Sequence, residues 1–377
     1  MLPPARILIA CDKFKGSLSA PEACTAIARG LAIVWPAAII DCCPIADGGE
    51  GFATALAGAM SGSHWVEVPA HDALGRAITA RYLMAGDRDG PIAIMEMAEA
   101  SGLWRIAPED RDILRATTTG TGEMIRHAAG ISRASRIILG IGGSATNDGG
   151  AGMAAALGVR FRAADGRDLA PAPGVLAESL HHIDISGRIP LPPVIAACDV
   201  TSPLLGPEGA TRVFGPQKGA DAATIPVLEA ALDKLARASG GRADADRARA
   251  GAAGGLGFGL LHFAGARLVP GFDLLADLTG IDQRAAAADL IITGEGSLDV
   301  QSLAGKGPAG IASLAATHHK PVWAFCGKAD AAARASGLFG IIMDLAATGL
   351  PVETLMCDAA ALLAAAAAHR AREACHD

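Results

Sequence analysis

No run of five or more basic residues occurs in the 377-residue chain, and its formal net charge is −7. The electrostatic footprint of a nucleic-acid binder is missing, so a nucleic-acid role is not expected. Long apolar runs are also absent. The most apolar stretches, such as Leu355 to Ala368, which is interrupted by Asp358, fall short of the roughly 20 residues that span a bilayer. The first residues, MLPPARILIACD, lack the charged start, apolar middle and small-residue cleavage site of a secretory signal. A cytoplasmic protein without a membrane partner is the expectation. Aromatic residues are few, at 4%, but the apolar fraction of 51% is that of a packed globular protein and not of a disordered one.

The eight cysteines are scattered. Cys42 and Cys43 are adjacent, without CxxC spacing or a nearby histidine pair, so a zinc site is not expected and the thiols read as reduced small hydrophobes. A Walker-type phosphate loop is missing as well. Neither GKG at Gly305 nor GKA at Gly327 is followed by Ser or Thr or preceded by the required glycine.

What the chain does have is alternation. Apolar strand candidates, among them Ala5 to Ala10, Arg136 to Leu139, Val194 to Ala197, Leu290 to Thr293 and Pro321 to Cys326, are each followed by small or polar loops and alanine-rich helical stretches. That rhythm predicts an α/β fold with a largely parallel sheet. It breaks at Arg76 to Met84 and Pro91 to Met97, which predict a hairpin across AGDRDG, and again in the loop-heavy stretch Arg160 to Pro193. It resumes over the last hundred residues. We therefore expect two domains: a discontinuous one from residues 1–69 and 280–377, and an inserted one from 70–279.

Glycine is abundant, with 47 residues, and it concentrates beside carboxylates. IADGGEG (Ile45 to Gly51), ILGIGGSATNDGGAG (Ile138 to Gly152), GAAGGLGFG (Gly251 to Gly259) and ITGEGSLDVQSLAGKG (Ile292 to Gly307) stand out. Bare backbone at a helix start makes an anion site. Gly140, Gly142 and Ala145 fit G-x-G-x-x-A after a strand, the mark of a dinucleotide-dependent oxidoreductase. The acid expected some twenty residues on would be Asp165, which sits in a turn and not at a strand end. Asp12, Asp47, Glu50, Asp148, Asp199, Glu295 and Asp299 fall at or just after strand ends, the ligand edge of a parallel sheet. Such a set suits phosphoryl transfer, with carboxylates for Mg²⁺ and for a proton and glycine amides and lysines for phosphates. Lys13, Lys15, Lys218 and Lys306 lie in the same kind of loop.

CDKFKGSLSA, PIADGGEG, EMAEASGL, TTTGTGEMI, GIGGSATNDGGAGMAAALG, ACDVTSPLLGPEGATRVFGPQKGA, GAAGGLGFG and ITGEGSLDVQSLAGK run in order from Cys11 to Lys306. In these stretches the chain resembles the bacterial glycerate kinases that form 2-phosphoglycerate. It departs from them at Cys11, where the family usually has Pro, and at Lys13, where many members have Ser. The resemblance implies a Rossmann-like parallel-sheet domain built from both chain ends, a second α/β domain inserted in it, and an active site in the interdomain cleft.

It also implies D-glycerate as the small-molecule substrate and ATP with Mg²⁺ as cofactors, and it leaves monomer and homodimer both open. Within that frame Gly142, Gly143, Ser144, Thr146, Asn147 and Asp148 are expected to bind ATP. Asp199, Asp47 and Lys15 are the catalytic candidates. Lys13, Lys15, Asp47, Arg212 and Lys218 are expected to meet the substrate, and Glu295 and Asp299 the metal. The proton acceptor is open among Asp47, Asp199 and Asp299. A kinase acting at the 3-hydroxyl, or an NAD-dependent oxidoreductase of a small hydroxy acid, are the alternatives.

Overall fold

The computed structural model describes residues 3–87, 89–300, 302 and 307–375. Among them the first eight strands are β1 (Arg6–Cys11), β2 (Ile39–Cys42), β3 (His64–His71), β4 (Ala77–Asp87), β5 (Gly90–Glu96), β6 (Arg136–Gly140), β7 (Arg160–Arg162) and β8 (His182–Asp184). The remaining five are β9 (Val194–Ala197), β10 (Arg267–Val269), β11 (Leu290–Leu298), β12 (Val322–Ala329) and β13 (Ile341–Asp344). The chain divides into two compact units.

One unit comprises Met1–Asp47, Thr54–Ala59 and Phe272–Asp377. Its five strands run in the order β13-β12-β11-β1-β2, and every neighbouring pair is parallel. β1 is buried at five of its six residues, RILIAC, because a parallel sheet covered on both faces needs apolar side chains in both directions. The helix Ala20–Val34 starts at a capping box, Ser19 with Glu22, and has Pro21 in its first turn. It packs on the helix Ala359–Ala374 so closely that a Cβ on Gly30 would lie 2.1 Å from the carbonyl oxygen of Ala364. Ile7, Ile9, Leu31, Trp323, Phe325 and Leu363 share this core.

The other unit comprises Gly48–Ala53 and Met60–Gly271. Its six-stranded sheet has the order β10-β9-β6-β5-β4-β3. The first four strands are parallel, whereas β5, β4 and β3 pair antiparallel. The hairpin expected around AGDRDG is β4 and β5. β7 and β8 form a separate antiparallel pair in the loop-heavy stretch. This removes the dinucleotide reading, since the strand following the glycine-rich loop does not join β6 in a parallel βαβ unit. Asp165 instead closes its own turn by accepting the Arg167 N–H at 3.0 Å.

Candidate active site

The first unit carries an acidic cavity of about 200 Å³ lined by Asp12, Asp47, Glu295, Ser297, Asp299, Ser302, Gly307 and Pro308. Its construction follows the sheet. Asp12 is the first residue beyond β1, and its N–H donates to the Gly294 carbonyl of β11 at 2.8 Å. Beyond β2 the chain keeps pairing with β1 through Cys43 to Ile9 and Ile45 to Cys11, which carries Asp47 to the same end. Glycine lets the backbones close up. A Cβ on Gly294 would fall 2.1 Å from the Phe325 carbonyl oxygen, and one on Gly296 would lie 3.2 Å from the Lys15 nitrogen.

Glu295 is a perturbed acid of this cavity. Burial pushes its carboxyl up to about 7. The Ser302 hydroxyl pulls it down, and Asp12, Asp299 and Asp47 push it further up. Among the described residues its buried Oε1 meets no hydrogen-bond partner. Asp299 and Ser302 close a turn, with Asp299 N–H donating to Ser302 Oγ at 3.2 Å and Ser302 N–H to Asp299 Oδ1 at 3.3 Å. Among the described residues no three His, Cys, Asp or Glu side chains stand close enough together to ligate one ion. Lys13 is half-buried and Lys15 exposed in the loop after β1. Lys306, with Ala304 and Gly305, lies outside the described residues.

In the second unit the glycine-rich loop after β6 uses most of its bare backbone internally. A Cβ on Gly140 would meet the Gly48 carbonyl oxygen at 2.6 Å, and one on Gly142 the Gly49 Cα at 2.5 Å. The Gly142 N–H is committed to the Gly48 carbonyl at 3.2 Å. Gly149 and Gly150 pack on Gly255 and Gly259, and Gly152 on Thr118 and Thr119. Gly143, at φ +74, is the exposed member, with Ala98 Cβ 3.5 Å from where its own Cβ would stand. Among the described residues its N–H meets no protein acceptor.

Behind Gly143 lies a buried polar layer. Ser144 is 8% exposed, Thr146 and Asn147 are fully buried, and Lys218 is 2% exposed. Lys218 Nζ donates to Ser144 Oγ at 2.7 Å and to the Thr146 carbonyl at 2.8 Å. Burial lowers its amine to about 7, opposed by the charge of Asp148. Asn147 Nδ2 donates to Thr211 Oγ1 at 3.0 Å, while Asn147 Oδ1 and Thr146 Oγ1 are buried and meet no partner among the described residues. Asp148 accepts from Thr118 N–H and Oγ1, Gly150 N–H and Gly152 N–H. Burial still raises its carboxyl.

Asp148 and Lys218, expected at ATP and at the substrate, therefore make their hydrogen bonds to the protein's own loop. Asp199, just past β9, accepts the Gly271 N–H at 2.9 Å and so caps the next helix with one oxygen. Arg212 is half-exposed and stands 4.0 Å from Glu229. Glu96, given no role from sequence, closes β5 and accepts the N–H groups of Gly51 at 2.9 Å and Ala53 at 2.8 Å. The sign available was a carboxylate ending the apolar run PIAIME. Thr118 was likewise unassigned, and nothing in TTTGTG singles it out.

Residues 7–374 match the glycerate kinase family. The chain belongs to the glycerate kinase family. It is 44% identical over 328 residues to a glycerate kinase of Bacillus subtilis (strain 168), with 85% of each chain covered. It is 43% identical over 331 residues to the glycerate 2-kinase of Escherichia coli (strain K12), again with 85% of each covered. The crystal structure of a glycerate kinase 2 candidate from Salmonella typhimurium LT2 superposes with a TM-score of 0.84 at 39% identity and covers 98% of both chains. As a glycerate kinase the protein is an enzyme, a phosphotransferase acting on glycerate with a nucleotide. No described helix is long and apolar enough to cross a membrane.

Proposed function

We propose that this glycerate kinase transfers the γ-phosphoryl group of ATP to the 2-hydroxyl of D-glycerate, giving ADP and 2-phosphoglycerate. The likeness to the Escherichia coli glycerate 2-kinase supports the position attacked. The observation that carries the chemistry is the acidic cavity around Glu295, at the edge of a parallel sheet where ligands bind. In the reaction the hydroxyl proton passes to a carboxylate, the oxygen–phosphorus bond forms, and the bond from the γ-phosphorus to the β–γ bridging oxygen breaks as ADP leaves.

The carboxylate is Asp47 or Asp199, each beyond a strand end. Lys13, Lys15 and Arg212 neutralise the substrate carboxylate and the transferring group. Gly143, the exposed member of the glycine-rich loop, and the Ser144 beside it contact the phosphates, with Gly142, Thr146, Asn147 and Asp148 shaping that loop. The cavity suits Mg²⁺, a hard ion that takes one or two carboxylates and completes its shell with water and phosphate oxygens. The partnerless Glu295 Oε1 and its neighbour Asp299 would hold it. When bound, Mg²⁺ neutralises charge that develops on the phosphoryl oxygens.

Phosphorus NMR of the product from D-glycerate, ATP and Mg²⁺ tests this reading. 2-Phosphoglycerate is expected, 3-phosphoglycerate rejects the position, and no phosphoglycerate rejects the reaction. Of Asp47→Asn and Asp199→Asn, the variant that removes the proton acceptor lowers kcat about 100-fold or more. A variant within about threefold of wild type is not the base.

A further inference from the structure

Lys218 is the most deeply buried cation described. It ends the short turn Pro216–Lys218, where the Gly219 backbone at φ 99 redirects the chain. Both of its hydrogen bonds land on one loop, at the Ser144 hydroxyl and the Thr146 carbonyl. The next acid of that loop, Asp148, fastens its far end to Thr118, Gly150 and Gly152. The loop is thus held at one end by a buried cation and at the other by a buried anion. Keeping an amine charged out of water is costly, and its lowered basicity reflects that cost. A norleucine-like apolar stem would fill the same volume without it. The cost is offset if the amine's direction and charge serve the segment of buried Ser144 and exposed Gly143 that its hydrogen bond reaches.

We propose that Lys218 is a positioning residue for nucleotide binding: through Ser144 Oγ and the Thr146 carbonyl it fixes the Gly143–Ser144 segment in the shape that receives a phosphate. The inference rests on the assignment of this segment to ATP. Lys218 touches neither substrate nor nucleotide; it acts one hydroxyl away, lending positive charge to the anion side of the loop.

The test is steady-state kinetics on Lys218→Met, Ser144→Ala and the double variant, with amide hydrogen exchange of residues 142–152 in the ligand-free proteins. Lys218→Met is expected to raise KM for ATP about tenfold or more, to move KM for D-glycerate less than threefold, and to speed exchange in the loop. Ser144→Ala is expected to cost less, because it leaves the Lys218 bond to the Thr146 carbonyl, and the double variant to resemble Lys218→Met alone, since Lys218→Met already removes the contact the two side chains share. A rise in KM for glycerate with KM for ATP unchanged overturns the inference and makes Lys218 a substrate ligand. Unchanged KM values with unchanged exchange overturn it as well. Faster loop exchange with both KM values unchanged instead overturns the assignment of the loop to ATP, and leaves Lys218 holding a loop of another purpose. If Lys218→Met fails to fold, Ser144→Ala carries the same comparison.

Discussion

At the scale of the residue, two titratable groups partly or wholly withdrawn from water set a pH profile. Burial pushes the Glu295 carboxyl up to about 7 in the folded state, from 4.5 in an unfolded chain. Between those values the folded state binds more protons than the unfolded one, so its contribution to stability falls as pH rises. Lys218 runs the other way. Its amine is lowered from 10.5 to about 7, the unfolded state binds more protons across that window, and stability rises with pH. Ligand-free protein in metal-free buffer should therefore show its lowest contribution from this pair near pH 7. Glu295→Gln should raise the urea midpoint at pH 8 and leave it unchanged at pH 4.5, while lowering kcat/KM about 100-fold or more if the residue holds the metal. An equal rise at both pH values removes the desolvation argument. The carboxylates of this cavity were legible because each follows a strand end. The inward turn of Lys218 was not, because a lysine in a glycine context reads as a phosphate ligand, and only the packing around it shows what it bonds.

At the scale of the element, the clearest lesson is in GAAGGLGFG. The sequence suggests a phosphate loop, yet these residues start the helix Ala252–Ala264, with Ala253 (φ 54), Gly254 (φ 66) and Gly255 (φ 86) in the left-handed region. Reciprocal substitutions there should have opposite signs. Ala253→Gly relieves a left-handed alanine and should stabilise by about 1 kcal/mol. Gly254→Ala puts a Cβ 1.9 Å from the Thr146 carbonyl oxygen and should destabilise by about 3 kcal/mol. Urea unfolding of both variants checks the pair. β1, β6, β9 and β12 were readable as apolar runs because both of their faces are covered. β11 continues to Leu298 through the polar residues TGEGSL because β12 supplies partners as far as Ala329. β10 was missed, since RLV is short and half-exposed and its strand character comes from pairing with β9.

At the scale of the whole molecule, the first unit's sheet is assembled from remote pieces of chain: β1 takes β2 on one side and β11 on the other. The helix Ala359–Ala374 covers it with Leu363, Ala367 and Ala371 against Ile27 and Leu31. Deleting this helix should abolish exchange protection of β1 and β12 and leave β5, β6 and β9 protected; simultaneous loss in both sets would mean the units unfold as one. The same connectivity bears on synthesis. β1 leaves the ribosome early, but the strand that pairs its second edge lies beyond residues 60–271 and emerges only after them. Throughout that interval Ile7 to Cys11 present an apolar edge with no permanent neighbour, the kind of surface that recruits wrong partners. The nascent chain is therefore expected to be most exposed to aggregation while its second unit is already complete, and slowing translation after residue 271 should lengthen that exposure.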